Sequence, residues 1–380
     1  MTALAGRPRA VPGCVRPDLA GGGAGLALAY RQLDLCRPGE GWDAMAGGYL
    51  TAAAAGVRRL GVTAPGLHGG LAGPAFAAWH SGEECPLGPR AGEETVRRAA
   101  ALAGRVHGVA WRDFDVILGL AGTGAFLLCR AGRSPAAERV LRAVLGALVA
   151  LCGERAGIPR WFTPAGAMTD DALRARFPHG ALNCGLAHGI AGPLALLSLA
   201  RSAGVRVPGQ EDAVLRAAGR LLACRADDAW GPYWPGITGL AAAPGPAPPA
   251  RGAWCYGSPG VARSLWLAGT ALDDASLRGT AVGAMKAALR RPSVPGETGG
   301  APGLCHGLAG LLQITLRFAH DTGDPEFSRA AARLTARLCR SGDVARDGPG
   351  FLEGAAGVVL ALLAATTDVP PAWDRALLLA

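Results

Sequence analysis

The segment Gly303-Leu-Cys-His-Gly-Leu-Ala-Gly310 decides the fold, because its last four residues are one of seven copies of a glycine step. Each copy reads Gly-x-Ala/Pro-Gly and is followed by an apolar run. The copies lie at 22–25, 70–73, 119–122, 189–192, 257–260, 307–310 and 354–357. Their second glycines are separated by 48, 49, 70, 68, 50 and 47 residues, so a unit of about fifty residues recurs with two longer insertions. This period indicates a structural repeat.

The runs between and after the glycine steps alternate in character. Those after the steps, such as 308–318, are apolar nearly all round, which is typical of helices buried on every side. Those between them are amphipathic, and Ser134-Pro135 and Asp324-Pro325 are start signals for two of these helices. The alternation predicts an all-α protein, an α/α toroid with seven inner and seven outer helices. We expect the step glycines to permit close backbone approach and positive φ.

Composition limits the partners that the chain can have. Half of the 380 residues are hydrophobic, and the repeats run from end to end, so we expect one domain over residues 1–380. The net charge of +9 comes almost wholly from arginines that are dispersed over the helices. Nucleic-acid binding needs basic residues gathered on one face with aromatics for stacking, and we therefore expect no nucleic-acid partner. An acidic peptide partner is compatible with the charge.

The sequence also indicates in which cellular compartment the protein is expected. Residues 1–18 contain no continuous apolar segment of the kind found in secretory signals. The most apolar stretch, 185–200, is interrupted by His188 and Ser198 and is too short for a membrane span. Ten cysteines are too dilute for a disulfide framework in a chain of this length. We expect a cytoplasmic bacterial protein with reduced thiols and no membrane span.

The repeats provide a common numbering frame in which chemically reactive residues at equivalent positions can be compared. The position immediately before each step holds, in the fourth to seventh repeats, His188, Tyr256, His306 and Glu353. One residue earlier, the fifth and sixth repeats both carry cysteine, Cys255 and Cys305. If rotation about an axis relates the repeats, all of these residues face one place. The N-terminal dipoles of the inner helices converge there as well, which favours negative charge.

Two cysteines and a histidine in adjacent repeats are candidate metal ligands. Cys255, Cys305 and His306 would leave a fourth position of tetrahedral zinc open, which is typical of catalytic zinc. Their spacing lacks the Cys-x-x-Cys pattern, so buried inert cysteines are the alternative on spacing alone, and the shared frame favours the metal site. For His188 the alternative is a hydrogen-bonded buried histidine, and for Cys184 we favour core packing.

Three longer motifs contain or lead into the glycine steps of the fourth to sixth repeats: Gly185-Leu-Ala-His-Gly-Ile-Ala-Gly192, Arg251-Gly-Ala-Trp-Cys-Tyr-Gly257 and Gly303-Leu-Cys-His-Gly-Leu-Ala-Gly310. In this order they resemble the signature of the lanthionine synthetase C-like cyclases. The resemblance covers all seven repeats. It implies an α/α toroid with one Zn²⁺ per chain and formation of thioether rings in a dehydrated precursor peptide.

The resemblance also implies a role for each matching residue. The zinc ligands would be Cys255, Cys305 and His306, the acid/base histidine His188, the functional arginine Arg251, and the tyrosine after the first zinc cysteine Tyr256. The family's aspartate matches Asp115 more loosely, with Asp113 as a rival. Asp115 would orient His188 or hold Arg251, and the sequence leaves that choice open. It also leaves open whether the insertions 160–183 and 241–252 are lids, peptide-contacting walls or plain connections.

The implied reaction is Michael-type addition of peptide cysteines to dehydroalanine or dehydrobutyrine, which forms (methyl)lanthionine rings. A free thiol is mostly protonated at neutral pH, so zinc would deprotonate it. Arg251 would stabilise the enolate that forms, and His188 would protonate its α-carbon. The implied partners are a dehydrated precursor peptide with its leader and a separate dehydratase, with an exporter complex as a further candidate. Two alternatives remain, addition of a glutathione-type thiol to dehydroamino acids and a non-catalytic scaffold that docks a peptide and its dehydratase.

Overall fold

The computed structural model describes residues 16–83, 87–240, 248–250, 252–292, 301–342, 344 and 346–380. Each glycine step opens a helix that belongs to an inner ring. With helices numbered in chain order, the inner ring is α1 (Gly23–Cys36), α3 (Ala72–His80), α6 (Leu120–Arg130), α9 (Ala191–Ser202), α11 (Ser258–Ala271), α13 (Leu308–Thr322) and α15 (Ala355–Thr366). Each of them packs against its two neighbours in the ring, and α15 packs against α1. The inner ring is therefore closed.

Amphipathic helices follow the inner ones on the outside. They are α2 (Trp42–Leu60), α4 (Pro89–Gly104), α7 (Pro135–Leu151), α10 (Gln210–Ala223), α12 (Ala275–Arg290) and α14 (Pro325–Arg340). Two of these helices, α7 and α14, begin at the residues that the sequence predicted. Ser134 Oγ accepts a hydrogen bond from the Ala137 amide at 3.3 Å, and Asp324 Oδ1 accepts one from Glu326 at 2.8 Å. These contacts satisfy amide groups that a helix start otherwise leaves unpaired.

The α/α toroid is confirmed, and the outer ring differs from the prediction in one place. Within the described ranges six outer helices are present, and α15 is followed by a short 3-10 segment, Ala372–Leu377, instead of a seventh. This segment packs against the inner ring, and its Asp374 carboxylate is fully buried, where it accepts hydrogen bonds from Arg317 and Gln313. Trp373 and Leu377 are fully buried, and Trp254 Nε1 donates to the Leu377 carbonyl at 3.0 Å.

A ring of backbone hydrogen bonds closes the end of the toroid where the inner helices begin. Each repeat donates one N–H to the next repeat, and the N···O distances are 2.8 to 3.1 Å. The donors and acceptors run Ala20 to His68, His68 to Ile117, Val116 to Ala187, Ala187 to Cys255, Cys255 to Cys305, Cys305 to Leu352 and Leu352 to Ala20. Apart from Val116, these residues share the position two before the step, so the ring brings the repeat frame to one place.

The second glycine of every step is required by a close backbone approach. In all seven repeats the carbonyl oxygen six residues earlier lies 2.8 Å or less from where a Cβ would be. The expectation of positive φ is wrong, because no step glycine is in the left-handed region. Gly307, for example, has an extended φ of −126°. The missing side chain, and not unusual backbone freedom, explains these glycines.

The two insertions meet through a short antiparallel pair of strands. The first insertion contains a 3-10 turn (Ala165–Ala167), a short helix α8 (Asp171–Arg176) and a strand (Ala181–Asn183). That strand pairs with Ile237–Gly239, which leads into the second insertion. Of the second insertion, 241–247 and Arg251 lie outside the described residues. The remaining elements are helix α5 (Trp111–Phe114) and two small hairpins, Glu154–Arg155 with Ile158–Pro159 and Ala226–Asp228 with Gly231–Tyr233.

Candidate functional site

The three predicted metal ligands lie together at the start of the inner helices. One ligand atom from each of Cys255, Cys305 and His306 lies within 4.8 Å of the other two. The Cys255 amide donates to the Cys305 carbonyl at 3.1 Å, so the ring of backbone hydrogen bonds sets the two cysteines side by side. Cys255 is buried, whereas Cys305 and His306 are partly exposed. The cluster is therefore reachable from outside the ring end, and its ligand set could hold a metal ion.

The electrostatics of this cluster favour a thiolate. A hydrogen bond from Cys305 lowers the pKa of Cys255 to about 5, against the opposing effect of burial, and His306 lowers it further. A deprotonated cysteine is the form that binds a metal ion. On its other side, His306 Nε2 lies 3.2 Å from Oε2 of Glu353. A carboxylate on the second nitrogen of a ligating histidine fixes the ring orientation.

A histidine and an aspartate form a second unit beside the cluster. His188 Nδ1 lies 2.7 Å from Asp115 Oδ2. The other carboxylate oxygen of Asp115 accepts hydrogen bonds from the Leu118 and Gly119 amides at 2.7 and 2.8 Å, and the residue is almost fully buried. Of the two functions left open for Asp115, the contact with His188 is observed, and a contact with Arg251 lies outside the described residues.

Asp113, the alternative candidate for the family's aspartate, makes a structural contact instead. Asp113 Oδ2 accepts a hydrogen bond from the Ala110 amide at 3.2 Å, at the start of α5. It thus satisfies an amide of a helix terminus, as a capping residue does. Arg251 lies outside the described residues, so its predicted role stays a prediction.

Tyr256 bridges the two units. Its ring centroid lies 5.7 Å from that of His188, and the residue directly follows Cys255. Burial, together with the nearby charge of Cys255, raises the pKa of Tyr256 to about 12, and the Asn183 side chain opposes this rise. The phenol is therefore neutral at ordinary pH and able to donate a hydrogen bond.

Asn183 is a site residue that sequence reasoning missed. It is fully buried, and its Oδ1 accepts a hydrogen bond from the Gly185 amide at 3.0 Å, which shapes the approach to His188. It has no counterpart in the other repeats, so the repeat frame carried no signal for it. Cys184 lies next to it and outside the candidate metal cluster. A hydrogen bond with Cys224 and burial raise its pKa, which agrees with the packing role favoured above.

No helix in the described ranges is both long and apolar enough to cross a membrane.

Comparisons with known proteins agree with this fold. The nisin biosynthesis protein NisC of Lactococcus lactis subsp. lactis is 27% identical over an alignment of 288 residues, and the match covers 70% of this chain and 64% of that relative's length. The solved structure of nisin cyclase is similar with a TM-score of 0.84 at 22% identity, over 96% of this chain and 92% of that one. A family model described as lanthionine synthetase C-like protein matches residues 13–378. Because this match spans nearly the whole chain, the protein belongs to the lanthionine synthetase C-like family.

Proposed function

We propose that this protein is a zinc-dependent lanthipeptide cyclase. It would add cysteine thiols of a dehydrated peptide to dehydroalanine or dehydrobutyrine and so form (methyl)lanthionine thioether rings, with residues 1–380 acting as one domain. The observation that carries the proposal is the meeting of a Cys-Cys-His cluster with a carboxylate-paired histidine at one end of the toroid. Family membership supports the reaction class.

The donor set fits zinc. Two thiolates and an imidazole with ligand atoms within 4.8 Å of one another suit a tetrahedral ion with one position left open. We assign Cys255, Cys305 and His306 as the residues that would hold one Zn²⁺ per chain. When bound, zinc would lower the pKa of a substrate thiol so that it reacts as a thiolate at neutral pH. With a proton on Nε2 beside Glu353, His306 would have Nδ1 free of a proton and able to act as a ligand.

His188 would carry the proton transfers. Its Nδ1–H donates to Asp115, which leaves the Nε2 lone pair to accept a proton. In the addition, the thiol would give its proton to His188 Nε2, sulfur would bond to the β-carbon, and the π electrons of the double bond would move to the α-carbon and its carbonyl. Protonated His188 Nε2 then delivers a proton to the α-carbon. Arg251 would stabilise the enolate, and the Tyr256 hydroxyl would donate a hydrogen bond close to His188.

This function implies partners and a compartment. The substrate would be a dehydrated precursor peptide with its leader. A separate dehydratase would supply it, and an exporter complex would receive the product. Reduced thiols are needed on both enzyme and substrate, so we assign the reaction to the bacterial cytoplasm.

The mass of the product tests the reaction. Purified protein is incubated with a dehydrated Cys-containing peptide in the presence of glutathione, and mass spectra are recorded before and after alkylation of free thiols. Cyclisation leaves the mass unchanged while the alkylatable thiol disappears. An added glutathione mass would instead show addition of an external thiol. If the peptide thiol disappears no faster with the protein than without it, the protein would be a non-catalytic scaffold. Either result would overturn the proposal.

A further inference from the structure

A cavity of about 240 Å³ opens directly beside His306. Leu308 and Leu311 of α13 line it on one side, and Arg333 and Leu334 of α14 line it on the other. It extends from the candidate metal cluster outward to the outer ring. Its volume is below that of pockets for drug-sized ligands, so it suits one or two side chains.

The cavity combines an apolar wall with an uncommitted positive charge. Arg333 is exposed and makes no hydrogen bond or ion pair with any residue that the structure describes. Arg291, on the far side of the cavity, is committed already, because its Nε and Nη2 donate to the two carboxylate oxygens of Asp228 at 2.8 Å each. Arg337 lines the cavity one helical turn beyond Arg333 and adds to the positive potential.

We propose that this cavity is the subsite for the peptide residue next to the reacting cysteine, and that Arg333 gives it a preference for a carboxylate side chain. The proposal rests on the function proposed above. A cysteine presented to the cluster at His306 places its neighbour's Cα about 3.8 Å from its own, which brings that neighbour to the mouth of the cavity. The methylene groups of a glutamate would pack on Leu308 and Leu311, and its carboxylate would meet the Arg333 guanidinium.

Direct binding of unreactive peptides tests the subsite. The probes are fluorescently labelled synthetic peptides in which serine replaces the dehydroamino acid, so that no ring can form. One pair has glutamate or glutamine before the cysteine, and a second pair has them after it. Affinity for the zinc-loaded full chain is measured by fluorescence anisotropy.

We expect the wild type to bind one glutamate peptide about three- to tenfold more tightly than its glutamine partner, since the ion pair is partly exposed. Arg333→Gln removes this difference and leaves binding of the glutamine peptide unchanged. Arg329→Gln is the matched control, because Arg329 is exposed on the same helix and outside the cavity lining. Equal binding of both members in both pairs would overturn the proposal, as would a preference that survives Arg333→Gln or is lost equally in Arg329→Gln.

Turnover is measured separately with the corresponding dehydroalanine peptides. Ring formation without any glutamate preference in binding would reject the subsite and leave the cyclase function standing. A glutamate preference that depends on Arg333, in a protein that forms no rings, would support the subsite and reject the function.

Discussion

His188 Nδ1 lies 2.7 Å from Asp115 Oδ2, across the boundary between the third and fourth repeats. The backbone hydrogen bond between the neighbouring residues Val116 and Ala187, at 2.9 Å, is a member of the ring that closes the toroid. Closure of the fold therefore sets this pair in register. The same ring, two bonds further on, sets Cys255 beside Cys305. The same ring of backbone hydrogen bonds thus positions both the His188–Asp115 pair and the candidate metal ligands.

Asp115→Asn should lower turnover by about 10²-fold and leave the zinc content unchanged. Asparagine retains an oxygen for the Leu118 and Gly119 amides, but its NH₂ group would donate to His188 Nδ1. The imidazole proton would then sit on Nε2, which could no longer accept the thiol proton. Asp113→Asn is the control, because the one hydrogen bond of the Asp113 side chain within the described residues is to the Ala110 amide. A near-normal rate in Asp115→Asn beside an impaired Asp113→Asn would reverse the assignment.

His188→Ala should retain zinc and lose turnover by about 10²- to 10⁴-fold, the usual worth of a positioned proton donor. Cyclisation is followed by loss of alkylatable thiol after the uncatalysed addition has been subtracted. Ring stereochemistry is determined as well, because unguided protonation occurs from either face of the enolate. His320→Ala, at an exposed position, is the control. Normal rates with native stereochemistry would refute the role, and loss of zinc would move His188 into the metal site.

Cys255→Ala and Cys305→Ala should each lose zinc, whereas Cys184→Ala should retain it, because Cys184 lies outside the cluster. Elemental analysis of the purified variants measures this. Removal of zinc from the wild type with a chelator should change the unfolding temperature little, since a core of this size does not depend on the metal. Stoichiometric zinc in both cluster variants would contradict the ligand assignment.

The toroid and the position of the candidate site could be predicted from the sequence because both follow from the repeat. The glycine period marks the same contact seven times, a carbonyl oxygen that leaves no room for a Cβ. Residues at equal positions of the repeat, such as Cys255 and Cys305, are then brought together by rotation alone. Periodicity carries this information even when the contacts themselves are distant in sequence.

Contacts that are not repeated along the chain could not be predicted from the period of the glycine steps. The choice between Asp115 and Asp113 depends on which carboxylate faces His188, 73 residues later in the chain. The pairing of Ala181–Asn183 with Ile237–Gly239 joins two insertions that the repeat frame does not describe. The entry of Ala372–Leu377 into the ring depends on the space that closure leaves, which no local pattern of residues encodes.

His68 should make the protein less stable in mild acid. Burial lowers its pKa to about 4 from the ordinary 6.5, so the folded state holds it neutral while the unfolded chain binds a proton. The part of the free energy of unfolding that depends on neutral His68 is fully present above pH 6.5 and is lost as the pH falls toward 4. Between pH 7 and 5 this loss is about 2 kcal/mol. His68→Phe should show a loss smaller by that amount in urea unfolding at the two pH values, and an identical loss would contradict the prediction.

Substitution of alanine at two glycines should change stability in opposite directions. At Gly310 a Cβ would collide with the Leu304 carbonyl oxygen, and the backbone of a buried inner helix has little freedom to move, so we expect Gly310→Ala to cost about 2–3 kcal/mol. Gly283 is exposed within α12 with no atom near its Cβ position, and Gly283→Ala should stabilise the protein by up to about 1 kcal/mol through helix propensity. Midpoints of urea unfolding for both variants and the wild type measure the difference. Because Leu304 precedes Cys305, Gly310→Ala should also weaken zinc retention, whereas Gly283→Ala should not. If both variants unfold at the wild-type midpoint, the explanation that a close backbone contact excludes a side chain at the step glycines is wrong.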